Sequence, residues 1–295
     1  MGYVIISDST CDLTPELVGE LKVKFMPFTF HIKGKEYSNY FDEREMKLKK
    51  FYEMLKEGEV ATTSQLNVVF IQDYFRKYLK KKQDILYISF SSGLSGTFNS
   101  ARLAIDDLKL EFPERTIEVM DSLCASAGQG LLVYQAAMNR NAGMSLRDNL
   151  SYCETYKKRI RHWFTVDDID TLKRGGRLSA SKALIAKVLN IKPVLNVDDG
   201  GHLQAVSKKA GRKSAIRQIV NNSIENIELE EEFPTFISHA NCLDEAMHAK
   251  ELMEKLYEEK GVKSKIIITN IGPVIGAHAG PGTLAIFTIG DEREV

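Results

Sequence analysis

Residues 84–105 read DILYISFSSGLSGTFNSARLAI. Ile85–Phe90 is an apolar run with branched and aromatic members, the pattern of a buried strand. Phe98–Ile105 reads as a helix. The junction, Ser91-Ser92-Gly93-Leu94-Ser95-Gly96-Thr97, is a turn of hydroxyls and glycines. Such a turn between strand and helix holds an anion at the helix N-terminus or presents a nucleophile.

The same alternation continues on both sides. Tyr3–Ser7 reads as a strand and Thr14–Lys22 as a helix. Lys24–Ile32 is extended and reaches a turn at Gly34. Glu45–Glu57 is helical. Asn67–Lys82 is an amphipathic helix carrying Phe70, Tyr74, Phe75 and Tyr78. After the 84–105 unit, Ile117–Met120 is a strand, and Ser126–Ala142 and Leu146–Arg159 are helical. Strands alternating with helices imply βαβ units and a mostly parallel sheet. Two strands end alike, in Ser7-Asp8-Ser9-Thr10 and Met120-Asp121-Ser122-Leu123. Ligands of open α/β sheets sit beyond the carboxyl ends of strands. Strand-end turns and helix caps explain the same Asp-Ser pairs.

The pattern changes after Ile160. His162–Val166 is extended, Lys173-Arg174-Gly175-Gly176-Arg177 is a basic turn, and Ser179–Leu189 is helical, with Ser179 as its cap. Pro193–Val197 and Gln204–Ser207 form a hairpin around Gly200-Gly201. Gly211–Ile227 and Cys242–Lys260 are helices. Thr235–His239, Lys263–Asn270 and Leu284–Ile289 are strands. The expected organisation is an N-terminal α/β domain, residues 1–160, and a C-terminal α+β domain, residues 161–295.

Composition narrows the function classes. The 295 residues are 43% apolar and 27% charged, the profile of a globular chain. Lys+Arg and Asp+Glu are both 40, so no basic field points to nucleic acid or to a membrane surface. No apolar run approaches the length of a membrane span. Met1–Asp8 enters a strand at once, so no signal peptide is expected. Cys11, Cys124, Cys153 and Cys242 are scattered, which suits free thiols in a reducing cytoplasm.

The 91–97 turn fits no common nucleotide motif. A P-loop needs G-x-x-x-x-G-K-[ST], and the turn has no lysine. No G-x-G-x-x-G opens the first helix. A nucleophile elbow needs G-x-S-x-G; Gly93-Leu94-Ser95-Gly96-Thr97 gives G-x-S-x-T, and Thr97 would crowd the sharp turn. His278 is available as a base for Ser95 in a serine acyl hydrolase. Plain anion binding at the helix start is the third reading, and a simple helix cap by Ser95 or Thr97 the fourth.

Two further stretches bear on the choice. The loop Ala61-Thr62-Thr63-Ser64-Gln65 is again rich in hydroxyls. Residues 271–283, IGPVIGAHAGPGT, read as a glycine-rich loop between two strands, with four glycines, two prolines and His278. Glycines let backbone approach a ligand closely.

Asp8-Ser9-Thr10, Thr63-Ser64-Gln65, Ser91–Thr97, Leu172-Lys173-Arg174-Gly175-Gly176-Arg177-Leu178-Ser179, Lys192-Pro193-Val194-Leu195 and Gly276-Ala277-His278-Ala279-Gly280-Pro281-Gly282-Thr283 occur in this order along the chain. The ordered set resembles the DegV family. One departure is visible: the family commonly has T-S-Q-P-S, whereas Leu66 and Asn67 follow Gln65 here.

The resemblance implies a two-domain α/β fold with one long-chain fatty acid between the domains. It implies a lipid carrier, not an enzyme, with no metal and no cofactor besides the bound acid. Similar proteins are the fatty-acid-binding (FakB) subunits of bacterial fatty acid kinase. They present the carboxylate to a separate ATP-dependent kinase subunit, which forms acyl phosphate for phospholipid metabolism. By motif position, Thr63 and Ser95 would hold the carboxylate and His278 would approach it. Ser64, Thr97, Arg174 and Arg177 are further candidates. Hydroxyl donors and a helix N-terminus would satisfy the head group without a strong cation. Arg174 and Arg177 then read either as a turn before a capped helix or as a basic surface for the kinase or the acyl phosphate.

Overall fold

The computed structural model describes residues 2–178, 190–225, 227, 233–261 and 263–293. The expected helix Ser179–Leu189, with its cap Ser179, lies outside the described residues.

The first part of the chain runs β1 (Val4–Asp8), α1 (Pro15–Leu21), β2 (Lys24–Met26), β3 (Thr29–Ile32), β4 (Lys35–Ser38), α2 (Leu48–Lys56), β5 (Thr62–Ser64) and α3 (Val68–Leu79). It continues through β6 (Ile85–Ser89), α4 (Thr97–Glu111), β7 (Ile117–Asp121), α5 (Ala127–Asn141) and α6 (Leu146–Tyr156). Then come β8 (Ile160–Thr165), α7 (Ile169–Gly175), β9 (Ile191–Val197), β10 (Leu203–Ala210) and α8 (Arg212–Ile224). β11 (Thr235–His239), α9 (Leu243–Lys260), β12 (Ile266–Asn270), α10 (Pro273–Ala279) and β13 (Leu284–Ile289) complete it.

Among the described residues the strands form three sheets. A parallel sheet has the order β2-β1-β6-β7. A mixed sheet has the order β10-β9-β8-β13-β11-β12, in which only β11 and β12 run parallel. A small antiparallel sheet has the order β4-β3-β5.

Strand alternation sorts the core. In the parallel sheet, Val4, Ile6, Ile85 and Tyr87 pack with Ile71 and Phe75 of α3 and Ala104 and Leu108 of α4. Ile5, Leu86 and Ile88 belong to the opposite face, with Leu17 of α1 and Leu131 of α5. That second core runs on without a break into Phe164, Leu195, Phe236 and Phe287 of the mixed sheet. The far face of the mixed sheet is covered by α8 and α9 through Ile219, Val220, Ala249 and Met253. The fold is therefore mixed α/β, with a parallel sheet sandwiched by helices and a separate mixed sheet.

Four local expectations change. The extended stretch Lys24–Ile32 divides into β2 and β3, which join different sheets. Pro27 lies at the break and has no N–H for a ladder. Thr62–Ser64 is not a loop but β5, paired to β3. Lys173 and Arg174 lie in the last turn of α7, closed by Gly176 at φ 67, and not in a turn. The glycine-rich 271–283 stretch contains a helix, α10, and His278 rides on it.

Candidate functional site

A cavity of about 320 Å³ lies between strands of the mixed sheet, which supply Phe164, Val197 and Phe287, and segments that follow strands of the parallel sheet, which supply Phe28, Phe90 and Ala125. Most of its wall is apolar, with Phe28, Phe90, Phe164 and Phe287 as the largest side chains and Leu172, Val197 and Ile275 between them. The polar side chains in the wall include Thr63, Gln65, Ser95, Arg177 and His278. Thr63 is delivered by β5, Ser95 by the loop after β6, His278 by α10, and Arg177 by the segment after α7.

Strand alternation selects Thr63. Its neighbours Thr62 and Ser64 are exposed, while Thr63 is half-buried and lines the cavity. Thr63 Oγ1 and His278 Nε2 are 2.8 Å apart. An Nε2–H donating to the threonine oxygen leaves the threonine O–H free for a ligand. Among the described residues, His278 Nδ1 is buried without a hydrogen-bond partner. A bare acceptor there is tolerable; an unmet N–H would cost more. Burial, and then the Arg177 charge, push the imidazole down to about 4. His278 is therefore neutral at physiological pH in the ligand-free protein.

The 91–97 turn is a built loop. Ser91 Oγ donates to Gly201 O in the β9–β10 hairpin at 2.9 Å. A Cβ on Gly93 would stand 3.0 Å from the Gly200 and Gly201 backbone, so the close approach requires glycine. Thr97 Oγ1 accepts from Leu66 N–H at 3.2 Å and lies 3.0 Å from Ser95 Oγ. The N-cap of α4 is Gly96, with no side-chain cap bond. Ser95 Oγ nevertheless accepts from the N–H of Thr97, the first residue of α4, at 3.3 Å, so Ser95 helps to cap the helix start and Thr97 does not. Thr97 ties the β5–α3 segment to the turn, and Ser95 lines the cavity.

Arg177 brings a cation to the cavity. It stands in the cavity wall, with Nε donating to Leu94 O at 3.2 Å and Nη1 to Gly175 O. Arg174 does not reach that wall. It lines an adjoining cleft of about 220 Å³, whose wall also includes Thr63, Arg177 and His278. Its Nη2 donates to Thr171 Oγ1 at 3.1 Å. Ser64 and Thr97 do not line the cavity.

The two Asp-Ser strand ends serve as turns. Asp8 caps the short turn after β1 through Thr10 N–H and accepts from Thr10 and Tyr87 hydroxyls. Burial raises its carboxyl despite those bonds. Asp121 Oδ1 accepts from Ser92 and Leu123 N–H, both at 3.1 Å. Sequence reasoning missed Gln65 as a wall residue, although its motif was visible. Its side chain fills the space a Cβ on Gly96 would take. Ser126 and His162 also line the cavity. His162 accepts from Ala125 N–H and donates to Ile160 O, and burial pushes it far down. An isolated histidine in an apolar strand carries no local signal of such a place.

Among the described residues, no group of three or more His, Cys, Asp or Glu side chains could hold a metal ion. No described helix is long and apolar enough to cross a membrane.

The sequence profile described as "Uncharacterised protein, DegV family" matches residues 3–291. A DegV domain-containing protein of Clostridium perfringens is 39% identical over 292 residues, 99% of each chain. One from Lactococcus lactis is 35% identical over 289 residues, 98% of each. A fatty-acid-binding DegV family protein of Thermus thermophilus superimposes with a TM-score of 0.85 at 28% identity, over 99% of this chain and 100% of that one. DegV of Bacillus subtilis, a fatty acid binding protein, superimposes with a TM-score of 0.80 at 29% identity and the same coverage. With a family match from residue 3 to residue 291 and the motifs standing in one connected fold, the chain belongs to the DegV family.

Proposed function

We propose that this protein binds one long-chain fatty acid and presents its carboxylate to a separate ATP-dependent fatty acid kinase subunit. The carboxylate sits among Thr63, Ser95 and His278. The tail lies in a tunnel between an N-terminal unit, residues 1–160, and a C-terminal unit, residues 161–295. One observation carries the reading. Two hydroxyls and an imidazole from three distant segments converge on the wall of a cavity that is otherwise mainly apolar.

The energetics agree. Each buried CH₂ contributes about 0.8 kcal/mol, so the tail supplies most of the affinity. The head must be satisfied, because an unpaired buried carboxylate is costly. Fatty acid binding by the Thermus thermophilus and Bacillus subtilis relatives supports the ligand class. The sequence has no P-loop, which suits a carrier that relies on a partner for ATP. Arg177 beside the head group, and Arg174 in the adjoining cleft, form a basic approach for that partner or for the acyl phosphate. The four cysteines are free, which suits a reducing cytoplasm.

A serine acyl hydrolase built on Ser95 and His278 has weaker support. His278 Nε2 is paired with Thr63, and among the described residues its Nδ1 meets no carboxylate that would orient it as a base. Native mass spectrometry of protein purified without added lipid tests the carrier reading through a co-purified fatty acid. Palmitate-loaded protein with a bacterial fatty acid kinase subunit and ATP is expected to give acyl phosphate. Ester hydrolysis abolished by Ser95→Ala, with no acyl phosphate, would make the hydrolase the better reading.

A further inference from the structure

The helix that carries His278 cannot hold itself in place. α10 has seven residues, and its N-cap, Gly272, offers no side-chain cap. Isolated helices of that length are unstable in water. Two side chains from the first part of the chain pin its start. Gly272 N–H donates to Asp12 Oδ1 at 2.9 Å. Tyr52 OH donates to Ile271 O at 2.7 Å. Both side chains are buried, and neither lines the cavity.

The glycines of this stretch make room for those two residues. A Cβ on Gly272 would stand 2.9 Å from Asp12 Oδ1 and 3.0 Å from Asn39 Nδ2. A Cβ on Gly276 would stand 2.5 Å from the Tyr52 hydroxyl oxygen. Positions 272 and 276 are four apart and share one side of the helix, facing the two anchors. His278 lies two residues further on, about 200° round the helix axis, on the cavity side. The second oxygen of Asp12 accepts from Ser126 Oγ at 2.6 Å. Ser126 is itself a cavity-wall residue, held at φ 52 in the left-handed region. One carboxyl group thus fastens the His278 helix to the wall of the cavity.

We infer that Asp12 and Tyr52 are positioning residues for His278: they set where its imidazole meets the ligand's carboxylate, without touching the ligand. The inference rests on the fatty-acid reading above for its functional meaning, and on the hydrogen bonds alone for its geometry. Asn at position 12 can keep both contacts, accepting from Gly272 N–H and donating to Ser126 Oγ. Ala can keep neither.

The test uses the full chain with ¹⁵N-labelled histidine and [1-¹³C]palmitate. In folded Asp12→Ala and Tyr52→Phe, the His278 ring resonances are expected to move in the ligand-free protein. The bound palmitate carboxyl resonance is expected to move with them, and affinity for palmitate to fall about tenfold. Asp12→Asn is expected to keep both resonances and to stay within about twofold of wild type. Unchanged His278 and carboxyl resonances in either folded anchor variant would overturn the proposal. So would a loss in Asp12→Asn as large as in Asp12→Ala. Tyr52→Phe removes one oxygen from a ring that still fills its site, so it decides the matter if Asp12→Ala does not fold. A wild-type protein that binds no palmitate would overturn the fatty-acid reading, while the His278 resonances of the ligand-free variants would still decide the positioning.

Discussion

Thr63 Oγ1 and His278 Nε2 lie 2.8 Å apart across a separation of 215 residues. The pair stands in one cavity wall with Ser95, and with Nε2–H as the donor the Thr63 hydroxyl proton stays available to an anion. Thr63→Ala and Ser95→Ala should each weaken palmitate binding or acyl phosphate formation. A hydrogen bond to a charged group contributes about 1.5–3 kcal/mol, so each variant should lose roughly tenfold or more. Fluorescence competition with a labelled fatty acid reads this directly. A double variant with wild-type affinity and wild-type phosphorylation would remove these hydroxyls from the head-group site.

His278 should respond to the ligand's charge. Burial and Arg177 hold it at about 4 in the free protein. A carboxylate beside it favours the imidazolium, so bound palmitate should move its midpoint upward. Arg177→Gln should move it upward too, even without ligand, by removing the positive neighbour. Histidine NMR titrations of wild type and variant, with and without palmitate, check both shifts. One common midpoint in all four titrations would separate His278 from both charges.

Asp12 and His278 should bend the pH dependence of stability in opposite senses. The folded His278 sits near 4 against an ordinary value of 6.5. Between those values only the unfolded chain binds that proton, so stability is lost as pH falls from 6.5 towards 4. Burial raises Asp12 from 3.8 to about 7, with Asp8 adding to it against the bonds from Ser126 and Gly272. Between those values only the folded chain holds the proton, so that contribution is full at low pH and is lost as pH rises through 7. Each group changes the slope by at most about 1.4 kcal/mol per pH unit. Urea unfolding from pH 4 to 8 should show a flatter acid limb in His278→Gln. Asp12→Asn should show a flatter limb towards neutrality and a gain in stability at pH 8. Asp8, His162 and His239, whose values are also shifted by burial, leave a residual slope in both variants.

Gly175 should be intolerant of a methyl group for reasons of function, not folding. It ends α7, where Ala is favoured over Gly by up to about 1 kcal/mol. Its added Cβ, however, would stand 2.6 Å from His278 Nδ1. Gly175→Ala should keep the melting temperature within a few degrees and lose palmitate affinity as the imidazole is displaced. Full affinity in that variant would mean that the ring can move aside without cost.

Much of the architecture was legible because it is written in local periodicity. The alternation of apolar strands with amphipathic helices announces β1, β6 and β7 and the helices that flank them. The 91–97 turn stands out through its composition. The motif order points to Thr63, Ser95 and His278, and the structure brings these three to one cavity. Glycine density, by contrast, misled the reading of 271–283. Gly272 and Gly276 make room for Asp12 and Tyr52 instead of breaking a helix. The three-residue β5 was hidden because nothing local separates a short hydroxyl-rich strand from a loop.

The sequence by itself determined most of the longer strands and helices, because the spacing of apolar residues is a property of near neighbours. It also determined the chemistry on offer, two hydroxyl-rich segments and a histidine among glycines. Only the tertiary structure decided that β5 aims Thr63 into the cavity while Ser64 faces away. Packing alone placed Arg177 in the wall and left Arg174 in the adjoining cleft. Packing alone made Asp12 an anchor for a helix 260 residues away. These contacts depend on the register of β3 against β5 and on the seating of α10. Both are settled by burial and hydrogen bonding between segments far apart in the chain, which local periodicity does not record.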